Sequence, residues 1–145
     1  MTLANKTQEE VYDAFLSHAW KEMPFGSNPE LSEECFSAKD GLNCLRTISP
    51  VSAKEKIIKT DYPHSLTYKL LNPGYTNFAA EEDSHEGNVK FIKTEGGVTM
   101  TWHVKWQPLR YFEVVTICVV TNIIPLFQWS FNRKLDSLAT EKTEL

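Results

Sequence analysis

The sequence predicts an α+β domain with its helices gathered on one face of an antiparallel sheet. Three patterns point to this class: apolar residues at helical spacing before residue 21, period-two alternation between residues 34 and 106, and a long apolar segment after Pro108. A chain of 145 residues is long enough for one continuous core. We expect a single domain over residues 1–145, with its core at about 7–139 and a flexible tail at 140–145.

The first helix is predicted from a capping box and an apolar face. Thr7 stands three residues before Glu10, the spacing at which each side chain caps the backbone N–H of the other residue. An apolar stripe at helical spacing follows, made of Val11, Tyr12, Phe15, Leu16, Ala19 and Trp20. Two prolines and a glycine within residues 24–30 predict the end of this helix.

Residues 42–57 predict a β-hairpin with an ion pair across it. Leu42, Cys44, Arg46 and Ile48 alternate along one face of the first strand, and the second strand places Ala53, Glu55 and Ile57 on the same face. With residues 50 and 51 at the centre of the turn, antiparallel pairing sets Ile48 opposite Ala53, Arg46 opposite Glu55, and Cys44 opposite Ile57.

The remaining elements are a strand, a long connection, a second hairpin and a long helix. Residues 65–71 alternate with Tyr68 on the apolar side, and residues 72–88 predict an irregular connection. A hairpin then turns at residues 94–97, and a helix runs from about residue 109 to about Ala139. Pro125 predicts a kink in that helix, because it frees the carbonyl of Thr121.

The stretch GGVTMTWHVKW, residues 96–106, places a histidine between two tryptophans. Strand alternation sends His103 to the polar, solvent-facing side together with its threonine and lysine neighbours. The opposite side is uniformly apolar and consists of Val98, Met100, Trp102, Val104 and Trp106. With Phe91, these side chains suit the lining of a ligand cavity, and they equally suit ordinary core packing; composition does not separate the two.

Charge and hydropathy exclude several classes of protein. A net charge of -4 and the lack of any basic block argue against a nucleic-acid-binding surface. The apolar stretch 111–131 contains Glu113, Asn122, Pro125 and Gln128, so we expect a buried helix rather than a membrane span.

The cysteines indicate neither a zinc site nor a disulfide framework. Cys35, Cys44 and Cys118 are scattered, odd in number and outside any C-x-x-C pair. The N-terminus lacks the basic start and apolar stretch of a secretory signal. We therefore expect a reducing compartment and a cytoplasmic location.

Four motifs occur in order: GLNCLR at Gly41 to Arg46 with Glu55 nine residues beyond, DYPHSLTY at 61–68, GGVTMTWHVKWQP at 96–108, and an amphipathic C-terminal helix ending FNRKLDSLA. Over roughly residues 9–139 this order resembles the START/SRPBCC superfamily, in the branch that holds polyketide cyclase/dehydrase-like and birch-pollen-allergen proteins. The resemblance implies a helix-grip fold, in which a curved antiparallel sheet wraps a long C-terminal helix around a hydrophobic cavity.

The resemblance also implies a range of functions. Such proteins bind lipids, hormones or polyketides, and some catalyse cyclisation, aromatisation or dehydration; no shared catalytic residues or obligatory cofactor come with the family. One feature departs from it, because only residues 1–6 precede the first helix where the family usually has a strand. We expect a first edge strand that is short or missing, at a sheet edge that a second copy could cover as a homodimer.

A few polar residues on the apolar faces are candidates for chemistry. Arg46 and Tyr68 are the catalytic candidates: Arg46 for a ligand carboxylate or enolate, and Tyr68 as a hydrogen-bond donor or general acid. The alternatives for Arg46 are a structural ion pair with Glu55 and a pair that lies on the outer face of the sheet. The candidates for ligand binding are Glu55, Tyr68, Phe91, Met100, Trp102, Trp106 and Asn122.

The acidic stretch EEDSHE around His85 has no recognised spacing of metal ligands, so we expect a solvated loop and no metal or organic cofactor. The leading hypothesis is a protein that holds a hydrophobic or aromatic small molecule between its sheet and its last helix. The alternatives are a cyclase, aromatase or dehydratase that uses the same cavity, and an interaction module that uses its apolar helix.

Overall fold

The computed structural model describes residues 2–22, 28–49, 52–72, 85–105 and 133. These residues form one antiparallel sheet of seven strands in the order β1-β7-β6-β5-β4-β3-β2. The strands are β1 (Thr2–Ala4), β2 (Glu30–Leu31), β3 (Leu45–Ile48), β4 (Ala53–Asp61), β5 (Ser65–Asn72), β6 (Glu86–Thr94) and β7 (Gly97–Lys105). The helices are α1 (Gln8–Ala14), which continues as a π-helix (Phe15–Trp20), and the short α2 (Glu34–Ser37).

Helix α1 begins at the predicted capping box. The Glu10 backbone N–H donates to Thr7 Oγ1 at 3.2 Å, and the Thr7 backbone N–H donates to Glu10 Oε2 at 3.0 Å. From Phe15 onward the helix widens to a π-helix, so that the N–H of Lys21 donates to the carbonyl of Leu16, five residues earlier. The predicted apolar stripe is buried along both segments.

The β3–β4 hairpin has the predicted register. Arg46 pairs with Glu55 and Ile48 with Ala53, while the backbone of Ile57 donates to the carbonyl of Cys44. Leu42 differs from its prediction: it lies in a turn before β3, where its N–H donates to Asp40 Oδ1, and its side chain is exposed. The predicted turn centre, residues 50 and 51, lies outside the described residues.

The first edge strand is short and present. Thr2, Leu3 and Ala4 pair with Thr99, Val98 and Gly97 of β7. Gly97 has φ +132, and a Cβ there would collide with the carbonyl oxygen of Leu3, so this close pairing requires glycine. Part of the predicted irregular connection is extended instead, because Asn72 belongs to β5 and residues 86–88 belong to β6. Residues 73–84, the C-terminal helix with its Pro125 kink apart from the helical Arg133, and the flexible tail lie outside the described residues. In the rest of the chain, no helix is long and apolar enough to span a bilayer.

Cys35 and Cys44 form a disulfide, so the prediction of no disulfide is wrong. Strand β2 runs beside β3, and the backbone of Ser32 donates to the carbonyl of Leu45 at 3.0 Å. This pairing brings α2 against the start of β3 and leaves the two Cα atoms 4.3 Å apart. The cysteine spacing therefore no longer supports a reducing compartment.

The core lies between the sheet and the helical segment 8–20. The Phe91 ring of β6 packs between Tyr12 and Phe15, at centroid distances of 5.1 and 5.9 Å. The Tyr12 hydroxyl donates to the carbonyl of Asp40 at 2.8 Å, which ties the helix to the turn before β3. We call the sheet surface that faces this helical segment the inner face and the opposite surface the outer face.

Candidate functional site

Several predicted ligand-binding residues share the inner face. Phe91 and Met100 are buried, and Trp102 is half-buried. Phe15 of the π-helix packs edge-on against the Trp102 ring at 5.5 Å. His103, the next residue of β7, is exposed on the outer face, as predicted. The predicted Trp106 and Asn122 lie outside the described residues.

Tyr68 is the residue around which these aromatic side chains are arranged. Its ring is buried, with Trp20 at 5.0 Å and Trp102 at 6.3 Å between centroids. The ring lies directly on the backbone of Gly87 in β6, where any Cβ would collide with it. A glycine at this strand position therefore makes room for the phenol.

The Tyr68 hydroxyl accepts a hydrogen bond within the described residues. The Trp102 Nε1–H donates to Tyr68 Oη at 3.1 Å. Among the described residues, no acceptor lies within hydrogen-bond distance of the hydroxyl proton. Burial, with a smaller contribution from Glu55, raises the pKa of Tyr68 well above its ordinary value, so the phenol stays protonated at neutral pH.

Arg46 and Glu55 form a buried ion pair beside this phenol. The two side chains are 6% and 7% exposed, and Glu55 Oε2 lies 2.7 Å from Arg46 Nε and 2.5 Å from Arg46 Nη2. Arg46 Nη1 donates to two carbonyls at the end of the π-helix, those of Ala19 and Trp20, at 3.1 and 3.0 Å. The guanidinium also stacks over the Trp20 ring at 4.0 Å. These contacts show how the pair joins the helix to the sheet.

His85 is buried on the inner face, so its assignment to a solvated loop is wrong. The Leu70 N–H donates to the His85 carbonyl at 3.2 Å, so strand pairing continues one residue before β6. The imidazole Nε2 lies 3.9 Å from Glu55 Oε1, and its ring lies 5.7 Å from that of Tyr68. Burial lowers the pKa of His85; Arg46 acts in the same direction, while Glu55 opposes it. A neutral imidazole follows at pH 7.

A signal for His85 was present in the sequence. The period-two spacing of the inner face extends back to His85, through residues 87, 89 and 91. The acidic residues within 81–86 hid this alternation, because they suggested a solvated loop. We call Arg46, Glu55, Tyr68 and His85 the inner polar cluster. In this cluster the charges of Arg46 and Glu55 cancel, and the imidazole of His85 and the phenol of Tyr68 are neutral. The cluster can therefore donate and accept hydrogen bonds while carrying no net charge. No group of three metal-ligating side chains occurs in the described part of the chain.

A surface cleft of about 410 Å³ lies elsewhere, between the start of α1 and the β6–β7 hairpin. Its lining is mostly polar and includes Lys6, Glu9, Lys93 and Glu95. None of the predicted site residues borders this cleft, and its exposed side chains differ from the apolar lining that a hydrophobic ligand needs. The inner face therefore remains the candidate site.

No protein-family model matches this sequence, and no curated protein sequence matches it. Solved structures do share its fold. Norcoclaurine synthase from Thalictrum flavum, in complex with dopamine and hydroxybenzaldehyde, superposes with a TM-score of 0.62 at 12% identity, covering 91% of this chain and 80% of that one. A Rhodobacter sphaeroides protein has a TM-score of 0.60 at 14% identity, over 97% and 88% of the two chains.

CalU16 from Micromonospora echinospora has a TM-score of 0.54 at 14% identity, over 96% of this chain and 78% of its own. These structures belong to the START/SRPBCC superfamily that the sequence motifs resemble. At such low identity the likeness shows the fold alone. It confirms the helix-grip architecture that the motifs predicted.

Proposed function

We propose that this protein binds a hydrophobic, aromatic small molecule, polyketide-like or lipid-like, against the inner face of its sheet. The observation that carries the proposal is the Tyr68 hydroxyl, which is buried, accepts from Trp102 and has no described acceptor for its own proton. A buried donor without an acceptor costs about 1–3 kcal/mol. A ligand oxygen that accepted this proton would remove that cost.

The surroundings of Tyr68 support an aromatic ligand. Trp20 and Trp102 lie on two sides of the phenol, and Trp102 is half-buried, so part of its ring stays open to contact. Ligand sites commonly combine such apolar walls with a few polar groups that orient the ligand. The fold also accommodates aromatic molecules elsewhere, since the norcoclaurine synthase structure holds dopamine and hydroxybenzaldehyde.

Two matched ligands test the role of the phenol. Fluorenone has a carbonyl oxygen, and fluorene has the same fused rings without it. We expect Tyr68→Phe to weaken fluorenone binding by about 3–10-fold, the value of one net hydrogen bond, and to leave fluorene binding nearly unchanged. Titration of intrinsic tryptophan fluorescence measures both affinities. Equal losses for the two ligands, or no binding of either by the wild type, would overturn the proposal.

A second pair of variants locates the ligand on the inner face. Trp102→Ala should weaken both ligands by about tenfold or more, because an aromatic contact and its buried area are lost. His103→Ala is the matched control, since His103 is the next residue of the same strand and is exposed on the outer face. Native mass spectrometry of the purified protein would also reveal any small molecule that it retains.

The second candidate function is a cyclase or dehydratase that uses the same face. The specific observation in its favour is the juxtaposition of a neutral His85, a protonated Tyr68 and the Glu55 carboxylate in one buried cluster. Groups of this kind can exchange protons with a bound carbonyl compound. Incubation with dopamine and hydroxybenzaldehyde, followed by mass spectrometry of the products, is a first test.

An enzyme would form product, and its Tyr68→Phe variant would lose turnover by much more than the about 3–10-fold loss expected for ligand affinity. A protein that only binds would show affinity for the aromatic compounds and no product. The His103→Ala variant again serves as the control, because its side chain lies on the other side of the sheet.

A further inference from the structure

The outer face of the sheet carries a concentration of lysines. Strand alternation sends six of them to this side: Lys54, Lys56 and Lys59 of β4, Lys69 of β5, Lys90 of β6 and Lys105 of β7. We call this surface the lysine face. The whole chain has a net charge of -4, so the basic surface is a local feature of an acidic protein. In the linear sequence these lysines alternate with inward residues and form no basic block.

Among the described residues, no salt bridge neutralises the lysines of this face. The salt bridges of the described residues involve His18, Arg46 and His85, and none involves a lysine of the lysine face. Lys56 and Lys69 stand directly opposite each other across β4 and β5, an arrangement that destabilises a sheet. Among the described strands, three acids also lie on this face: Glu30 of β2, Asp61 of β4, and Glu86 of β6, which stands between Lys69 and Lys105. An anionic partner would relieve this repulsion.

Exposed aliphatic side chains lie among the lysines. Two β-bulges in the β4–β5 pairing each add one residue on the outer side, Ile58 in β4 and Leu71 in β5. Ile92 of β6 points the same way. Ile58, Leu71 and Ile92 are 40%, 39% and 48% exposed, respectively. A surface that combines spread lysines with protruding aliphatic groups matches the charged headgroups and the acyl boundary of a bilayer.

We propose that the lysine face docks this protein onto a membrane surface rich in anionic phospholipids. Of the described arginines, Arg46 is buried on the inner face and Arg133 belongs to none of the strands. Arginine is favoured where two parallel hydrogen bonds hold one phosphate or carboxylate group of a nucleic acid or protein. Lysine is a point charge and suits the diffuse negative potential of an anionic membrane surface. The exposed isoleucines would gain nothing from a phosphate backbone and would be buried in a lipid interface.

Vesicle sedimentation tests the proposal. The wild-type protein should bind phosphatidylcholine vesicles that contain about 30% phosphatidylserine, and binding should weaken as salt rises above about 0.1 M. Phosphatidylcholine alone should bind it much less. Each lysine near such a surface contributes about fivefold in affinity, so Lys59→Gln/Lys90→Gln should weaken binding by about 30-fold.

The control is Lys21→Gln/Lys39→Gln, which makes the same change in charge away from the lysine face. It should retain wild-type affinity for the vesicles. Circular dichroism and the midpoint of thermal unfolding would show that both double variants are folded. Equal weakening by the two double variants would overturn the proposal, as would equal binding to vesicles with and without phosphatidylserine.

A third variant distinguishes a bilayer from other polyanions. Ile58→Ser/Ile92→Ser should weaken vesicle binding several-fold, because the two aliphatic side chains no longer enter the interface. Its affinity for polyglutamate or for duplex DNA should equal that of the wild type. Tighter binding of the wild type to either polymer than to the anionic vesicles would assign the lysine face to an acidic protein or a nucleic acid and overturn the membrane proposal.

Discussion

Replacing Arg46 by methionine tests whether the buried ion pair fastens the helical segment to the sheet. The change removes both contacts to Glu55 Oε2 and the donor shared by the carbonyls of Ala19 and Trp20. Removing one partner of a buried pair leaves an uncompensated charge and costs about 3–5 kcal/mol. Since a domain has about 5–15 kcal/mol of stability in all, Arg46→Met should remove a large fraction of it.

The double variant Arg46→Met/Glu55→Leu should be more stable than Arg46→Met alone. It leaves no buried charge from the pair, so its remaining cost is mainly the two carbonyls that lose a donor, about 2 kcal/mol together. Glu55→Leu alone should lower the free energy of unfolding by about as much as Arg46→Met, because it leaves the guanidinium buried without its carboxylate partner. The double-mutant cycle should therefore give a coupling energy of about 4 kcal/mol or more.

Urea unfolding followed by tryptophan fluorescence measures each free energy of unfolding. Lys56→Met is the control, since Lys56 is the next residue to Glu55 and points to the outer face; it should change stability by less than about 0.5 kcal/mol. A double variant whose loss equals the sum of the single losses would refute the coupling. A loss below about 1 kcal/mol for Arg46→Met would refute the burial argument.

Three further changes address the histidine, the glycine and the disulfide. Burial lowers the folded-state pKa of His85 below 6.5, so at acidic pH the unfolded chain binds a proton that the folded chain does not. The free energy of unfolding should therefore decrease as the pH drops below about 6.5, by at most about 1.4 kcal/mol per pH unit. Urea titrations over pH should show that loss disappear in His85→Gln and persist in the exposed control His103→Gln; the same slope in both variants would contradict the assignment. Gly87→Ala should lower the free energy of unfolding by about 1–3 kcal/mol, because the added Cβ collides with the Tyr68 ring. Gly96→Ala is the control and should change it little, because a Cβ there meets no atom within 4 Å. Equal shifts in the midpoint of thermal unfolding would count against the close approach of Gly87 to the ring. Cys35→Ser should cost about 2.5 kcal/mol in urea unfolding through the lost loop closure, and alkylation of all three cysteines without a reductant would show that no disulfide forms.

Local signals allowed several elements to be predicted correctly. The capping box at Thr7 and Glu10, the pairing of Arg46 with Glu55 and the exposure of His103 all depend on neighbours within one helix turn, one hairpin or one strand. Such relations follow from the periods of 3.6 and 2 residues and from turn geometry. Leu42 shows the limit of this reasoning, because the alternation was extended past the end of β3 into a turn.

The candidate site was predicted in part. Alternation placed Arg46 and Glu55 on one face of their hairpin and Tyr68 on the apolar side of its own strand, and the structure brings the three together on the inner face. Their grouping with His85 requires β5 and β6 to pair, which joins residues far apart in the sequence. The contact between the guanidinium and the end of the π-helix likewise arises from packing of the helical segment on the sheet.

The sequence by itself determined where the first helix begins, which of its residues are buried, and which side of β3, β4, β5 and β7 is apolar, because these depend on steric and hydrogen-bonding rules that act over a few residues. Only the tertiary structure decided which faces meet. It joined Cys35 to Cys44, buried His85 beside Glu55 and assembled six scattered lysines into one basic surface. The physical reason is that these contacts depend on the order and register of the strands, which are set by burial of the whole core.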